Sequence, residues 1–413
     1  MKTFQNTKKE QPKTEKIAIL SVLKPVNDIR AYHKIAKSIS YNSENSKKVT
    51  LIGFEASSNS EKENTNLNIN FIELFTSKKH KNRLGFWRFF AGFKVFNQLL
   101  KLKPNTIIVC AVEILPFTLF FKFLFSLKSE SKSNSIKLVY DVQENYSFNI
   151  LYQDNYPLFL KKSLAFLIQF FEKLSSFFID LYLLAERCYL EEMPYLKNKN
   201  YVFLENKFLI ENNENLNTFD SYHSDYLATK KIKFLLYGSF SKTYGTLEGI
   251  LFFKKLEKEL QKNGFSATLI LAGYCSDSVY SQKINTLIEN ETSILLINDS
   301  ISSPVSHTIL LQQLQKTGFV ILPYLFNKST QNCIPTKFYE CLGYQKPMLI
   351  SENPNWKNFI QPLEAGIFID FENEKLEDEI PIIIQKILSQ KFYTKAIDEK
   401  IWKFDREVLK RII

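Results

Sequence analysis

Short apolar runs of strand length alternate with segments of helical period along this chain, and the alternation starts twice. Lys16–Leu23, Val49–Phe54, Ile69–Leu74, Thr106–Val112, Ile136–Asp141 and Asp180–Ala185 are the runs of the first series. Asp28–Ile39 and the stretches 86–102, 116–126 and 157–177 lie between them with apolar residues at helical spacing. After the polar stretch Glu211–Lys230 the same grammar resumes. Lys233–Tyr237, Ala267–Ala272, Ile294–Ile297, Phe319–Pro323 and Pro347–Ser351 read as strands, and Leu247–Asn263, His307–Gln315 and Thr336–Gly343 as helices. Strands joined by helix-sized crossovers pair in parallel, and a parallel sheet needs helices on both faces. The expected fold is therefore α/β: two Rossmann-like doubly wound domains, over residues 17–210 and 232–390, joined by a linker at 211–231. Residues 374–388 form a further helix interrupted by Pro381, and 391–413 a last helix that returns to the first domain. Two such domains facing each other bring the carboxyl ends of both sheets to a central cleft, where open α/β sheets bind ligands.

The chain of 413 residues exceeds one ordinary core, and 45% hydrophobic residues with only 11 glycines support two cores rather than flexible repeats. Residues 1–16 are polar and basic without an apolar h-region, so they read as a disordered tail of a chain that starts in the cytoplasm. Five cysteines form no C-x-x-C pair and four histidines no ligand spacing, so no metal site is expected. The net charge of +11 is concentrated: no acidic residue lies between Glu73 and Glu113. Within that interval Phe86, Phe89, Phe90, Phe93, Phe96 and Leu100 share a helical stripe. Arg83, Lys94 and Lys101 flank it, and Trp87 adjoins it. Arg83, Phe86, Trp87, Phe90 and Lys94 together make a candidate surface for an anionic membrane, each cation contributing roughly 1 kcal/mol there. The other reading is a core helix with solvated cations. Ile114–Leu127 and Ser163–Ala185 are broken by Lys122, by Glu172 with Lys173 and by Asp180, so attachment would be peripheral, at the inner face of the membrane. Nucleic acid is not expected, since no zinc knuckle, RNP-like signature or recognition helix is present.

The chemistry-bearing residues gather at strand ends. Pro335 opens a short helix that Gly343 and Pro347 close. The free N–H groups at its start, with Thr336 and Lys337, suit a phosphate or diphosphate. Glu340, one turn on, can accept hydrogen bonds from sugar or ribose hydroxyls. Gly238-Ser239-Phe240-Ser241-Lys242-Thr243-Tyr244-Gly245 is a glycine-bounded loop between a strand and a helix, with hydroxyls and one cation. Gly273 permits close backbone approach, and Tyr274 can stack on a base or form a plain turn. In the first domain Glu113 follows one strand, and Asp141 and Glu144 end another. Such carboxylates orient sugar hydroxyls, act as bases or cap the next helix. Asp28 and Arg30, in the first strand-to-helix loop, either contact an acceptor or lock the loop by an ion pair.

These segments resemble the GT-B-fold retaining glycosyltransferases, of the glycosyltransferase family 4, group 1 type. KIAILSVLKPVNDIR looks like the first strand and loop of that group, KLVYDVQENY like its Y-D-x-x-E segment, and VFLENK like its end-of-domain Asn strand. LLYGSF and ATLILAGY look like the opening strands of its donor domain, and PTKFYECLGYQKPMLIS like its donor-gripping P-x-K-x-x-E helix and strand. The resemblance implies a nucleoside-diphosphate sugar as donor substrate, no cofactor and no metal, and a glycan or lipid-linked acceptor. Gly238, Ser239, Lys242, Gly273, Tyr274, Thr336, Lys337 and Glu340 would hold the donor. Asp28 and Arg30 would meet the acceptor, and Glu113, Asp141 and Glu144 would be the catalytic candidates. Asn332 stands where many relatives have a second glutamate, and Ser239 and Tyr244 where they often have Arg and Lys. The histidine that many carry after the strand matching Thr106–Val112 is absent, leaving Glu113 as the nearest polar group. Those departures keep two alternatives in view, a catalytically silent scaffold in a glycan-assembly complex and a nucleotide-sugar epimerase.

Overall fold

The computed structural model describes residues 14–41, 47–55, 68–75, 87–128, 135–152, 157–210 and 219–410. It divides into two compact units, Met1–Glu205 with Asp405–Ile413, and Asn206–Phe404.

In the first unit seven strands, β1 (Glu15–Pro25), β2 (Lys47–Phe54), β3 (Ile69–Phe75), β4 (Thr106–Val109), β5 (Lys137–Val142), β6 (Leu181–Leu184) and β7 (Tyr201–Phe203), form one parallel sheet. Its order is β3-β2-β1-β4-β5-β6-β7, so the direction of winding reverses between β1 and β4. Consecutive residues of the central strands are buried, Ile17–Leu20 and Ile107–Val109 among them, because helices cover both faces. A π-helical stretch, Ile29–Ala36, leads into α1 (Lys37–Tyr41). The other helices are α2 (Trp87–Leu102), α3 (Leu115–Lys128), α4 (Tyr146–Tyr152), α5 (Leu158–Ser175) and α6 (Tyr189–Glu192).

The second unit repeats the pattern with six parallel strands. They are β8 (Lys231–Ser239), β9 (Ser266–Tyr274), β10 (Ile294–Leu296), β11 (Phe319–Leu322), β12 (Met348–Ser351) and β13 (Gly366–Ile369), in the order β10-β9-β8-β11-β12-β13. Its helices are α7 (Phe219–Thr229), α8 (Thr246–Lys262), α9 (Ser278–Ile288), α10 (His307–Gln315), α11 (Thr336–Gly343), α12 (Pro354–Ile360), α13 (Leu376–Ser389) and α14 (Glu399–Trp402). Strand alternation divides its core. Phe234 and Leu236 face one apolar cluster, and Leu235 and Tyr237 face the other, with Phe338 and Trp356.

Three local expectations change. Residues 219–229, within the stretch read as linker, form α7, held by a hydrogen bond of 2.6 Å from the Tyr226 hydroxyl to the Ile387 carbonyl. Residues 391–413 are not one helix. Lys403 forms a parallel bridge with Phe208, which takes its neighbours' N–H and C=O groups out of any helix. Asp398 then caps α14, and Asp405 accepts from Glu407 N at the start of α15 (Glu407–Lys410). α13 runs unbroken through Pro381, with Ile380, Ile383, Ile384 and Ile387 buried along one stripe.

On α5 the buried face is the polar one. Lys161, Ala165, Glu172 and Ser175 point inward, and the Tyr140 hydroxyl donates to Glu172 Oε1 at 3.0 Å. Burial pushes the Glu172 carboxyl up to about 7, against the relief from that hydrogen bond. In the unfolded chain it titrates in the ordinary range, so between the two values the folded state holds a proton that the unfolded state has lost. Stability from this group therefore falls as pH rises through that interval. The wild-type melting temperature should drop relative to that of Glu172→Gln between about pH 5 and about pH 8. Parallel melting curves across that range would show that Glu172 is not the group responsible.

Candidate functional site

The reversal of winding between β8 and β11 leaves room above their carboxyl ends, and the side chains that enter it converge on one cation. Tyr237 ends the buried part of β8, Tyr244 belongs to the loop after β8, and Tyr324 follows β11. Their rings lie 5.1, 5.4 and 5.6 Å from Lys337 Nζ. The half-buried lysine also lies over Gly238: a Cβ built there would meet its Cε at 2.8 Å, and the backbone φ of +95° is itself one that side chains rarely adopt. Gly238 therefore leaves the space that the end of Lys337 occupies. Desolvation brings the ammonium down to about 8, with the Glu340 charge opposing the fall.

Lys337 stands at the start of α11, whose first residue is Thr336 and whose N-cap is Pro335. Pro335 has no side-chain cap to offer; Phe338 N donates to its carbonyl at 2.9 Å, while Thr336 N and Lys337 N precede the first helical carbonyl. Exposed Thr336 completes this end of the helix. One turn in, Glu340 is buried at 5% exposure with both oxygens engaged. The Tyr237 hydroxyl donates to Oε2 at 2.7 Å, and His307 Nε2 lies 3.0 Å from Oε1. An ionised carboxylate only accepts, so Nε2 is the protonated nitrogen of that pair. Burial, and then the nearby Glu340, push the Tyr237 phenol well above its usual range, so it keeps the proton that it donates.

The neighbouring loops are tied to this centre. Leu325 N donates to the Thr243 carbonyl at 3.0 Å, joining the loops after β11 and β8. Gly245, at φ +59°, passes so close to Pro323 that a Cβ would fall 1.6 Å from its carbonyl oxygen. Gly273 is buried against the Gly238 carbonyl, and Tyr274 is exposed at the end of β9. Ser239 and Lys242 are exposed on the 238–245 loop. Asn332 accepts a 3.0 Å hydrogen bond from Asn355. Thus Gly238, Lys337 and Glu340 come together, Thr336 adjoins them, and Ser239, Lys242 and Tyr274 lie on the surrounding loops and strand end.

Sequence reading passed over His307, Tyr237 and Tyr324. His307 is isolated in the sequence, 33 positions from its partner. Its only signal is the Ser306 N-cap, which fixes it as the first residue of α10. The two tyrosines were readable only as residues at strand ends.

At the corresponding reversal in the first unit, Asp28 accepts from the N–H groups of Arg30 and Ala31 at 3.0 and 3.2 Å and so caps the π-helical stretch. Of the two readings of Arg30, the ion pair is the one that forms. Its guanidinium donates to Asp141 from Nε at 2.9 Å and from Nη2 at 2.5 Å, and from Nη1 to the Leu204 carbonyl at 2.9 Å. Asp141 is thereby buried, with Gln143 donating to it at 2.8 Å. Glu113 is half-buried on a 3-10 turn after β4, and exposed Glu144 accepts from Asn149 at 2.8 Å. Among the described residues no three His, Cys, Asp or Glu side chains converge as a metal site would require. Of the basic aromatic stripe, Arg83 and Phe86 lie outside the described residues. Trp87 begins α2, Phe90 is exposed, and Lys94 donates to the Leu74 carbonyl at 3.2 Å.

No protein-family profile matches the chain, and no curated protein matches it. Solved structures do. Sucrose-phosphate synthase from Thermosynechococcus elongatus is 12% identical with a TM-score of 0.61, covering 96% of this chain and 94% of its own. HepE from Anabaena, in complex with UDP-glucose, is 13% identical with a TM-score of 0.60, covering 96% and 97%. An α,α-trehalose-phosphate synthase (UDP-forming) from Burkholderia xenovorans, in complex with glucose-6-phosphate, is 10% identical with a TM-score of 0.53, covering 92% and 93%. These are GT-B glycosyltransferases, and the likeness shows the fold: this chain has the GT-B architecture of two Rossmann-like domains.

A desolvated lysine destabilises the unliganded chain. The unfolded state binds its proton up to the ordinary lysine range while the folded state releases it near 8, so stability from this group rises with pH through that interval. Lys337→Met should therefore melt higher than wild type near neutral pH, with the gain shrinking toward about pH 10. A lower melting temperature at neutral pH would mean that the tyrosine rings more than compensate the lost hydration.

Proposed function

We propose that the chain is a glycosyltransferase that moves a sugar from a nucleoside-diphosphate donor to a hydroxyl of a glycan or lipid-linked acceptor. The observation that carries this reading is Lys337, held at the N-terminus of α11 over Gly238 with Glu340 one turn behind it. Lys337 and the N–H groups of Thr336 and Lys337 answer the charge of a diphosphate. Glu340 already accepts from Tyr237 and from the His307 side and has lone pairs left for ribose hydroxyls. Gly273, Tyr274, Ser239 and Lys242 are assigned to the rest of the donor. UDP-glucose bound to HepE supports the donor class.

The reaction breaks the bond between the sugar and the diphosphate and forms one to the acceptor oxygen. Negative charge grows on the leaving phosphate, and a fixed cation with fixed N–H dipoles stabilises it without reorganisation. This supports a metal-independent transfer, and retention of configuration is the stereochemical expectation. On the first unit, Glu113 and Glu144 are the carboxylates assigned to the acceptor hydroxyl. Arg30, Asp141 and Asp28 are assigned to shaping the loop that receives the acceptor.

A panel of UDP- and GDP-sugars, scored for nucleotide release with and without acceptor extracts, tests the proposal. Turnover by wild type should fall by about 100-fold or more in kcat/KM for Lys337→Ala and for Glu340→Gln. Unchanged turnover in both variants would remove the site assignment. An epimerised donor recovered without nucleotide release would favour an epimerase, and no change in any donor a silent scaffold.

A further inference from the structure

The helix α5 is inside out. Its inward face carries Lys161, Ala165, Glu172 and Ser175, while Leu158, Phe159, Phe166, Phe170 and, just beyond its end, Phe177 are 83%, 79%, 64%, 56% and 74% exposed. An amphipathic helix of a water-facing surface has the opposite arrangement. Phe159, Phe166, Phe170 and Phe177 recur at helical spacing, and Lys162 and Lys173 interrupt the same stripe. Phe166 and Phe170 stack at 6.3 Å, and Lys199 Nζ lies 4.7 Å from the Phe177 ring. The neighbouring α3 adds exposed Phe120, Phe123 and Leu127 and contains no acidic residue. The one acid of α5, Glu172, is buried, and Asp180 at the edge is paired with Lys122 at 2.6 Å.

We propose that α5 with the adjoining part of α3 is a membrane-surface element whose outer stripe enters the headgroup layer of an anionic bilayer, the helix axis lying in the plane of the surface. The phenyl rings leave water for the acyl boundary, and Lys162 and Lys173 extend along them to reach lipid phosphates. No helix among the described residues is long and apolar enough to cross a membrane, so the contact is interfacial. Charge favours lipid over a second copy of the chain. A two-fold interface on this stripe would bring the lysines of both copies together, and among the described residues α5 and α3 offer no exposed acid to relieve them, Glu172 being buried. The contact falls on a different helix from the basic stripe near Trp87, and it stands apart from the transferase reading because its test contains no sugar.

The full chain is mixed with vesicles of phosphatidylcholine alone or with about 30% phosphatidylglycerol, and flotation and sedimentation velocity are measured. Wild type should float with the anionic vesicles and bind the neutral ones about tenfold or more weakly. Phe159→Ser/Phe166→Ser/Phe170→Ser should weaken anionic binding by at least about tenfold while leaving the circular dichroism spectrum unchanged. Lys162→Glu/Lys173→Glu, which alters no apolar group, should remove the preference for anionic lipid. Failure of wild type to float, or undiminished binding by both variants, would overturn the proposal. A dimer that the triple serine variant dissociates, without vesicle binding, would give the face to a second copy instead.

Discussion

Parallel pairing of β8 with both β9 and β11 is the constraint on which the candidate site depends. The chain winds outward from β8 through β9 to β10 and then returns to β11 to wind the other way, so the loops leaving β8 and β11 part above the sheet. Tyr237, Tyr244 and Tyr324 line the opening, and the next helix in the chain to start at this edge, α11, places Lys337 among them. Gly238 is favoured by its φ of +95°, and its missing side chain leaves the space that the end of the lysine occupies. The positions of cation, rings and glycine thus follow from strand order, and Glu340 follows from one turn of helix.

The fold was legible because crossover length and apolar run length carry most of the information about a doubly wound sheet. The errors have local causes. β4 stops at Val109 because the chain turns through Val112–Ile114, although the apolar run continues. α7 was hidden by the polar composition of 211–230, its anchoring resting on few residues such as Tyr226. The last segment has helical composition, but a bridge between Phe208 and Lys403 and the two caps at Asp398 and Asp405 divide it. At the site, Lys337 and Glu340 could be read from proline, helix length and spacing. His307 could not, since its contact with Glu340 exists only after β11 and the loop before α11 have brought the two helices together. Arg30 and Asp141 were each visible at a strand end, but their pairing across 111 positions was not.

The two units treat charge in opposite ways. In the first, Arg30 and Asp141 are buried as a pair, with the guanidinium donating to Asp141 and to the Leu204 carbonyl, an arrangement that fixes a loop. In the second, Lys337 is surrounded by rings and meets its carboxylate only at a distance through Coulomb attraction, an arrangement that leaves a cation for something else. The α5 helix shows a third balance, with Glu172 desolvated inward so that phenylalanines can stand outward. The placements of Lys337 and Glu172 each cost stability.

Whether the α11 terminus takes a nucleoside diphosphate is decided by calorimetric titration of the full chain with UDP and with GDP. One site should be seen for one of the two nucleotides, with affinity falling as pH rises through the Lys337 value of about 8 and lost in Lys337→Met. Absence of heat with either nucleotide, or binding that Lys337→Met leaves intact, would contradict the assignment.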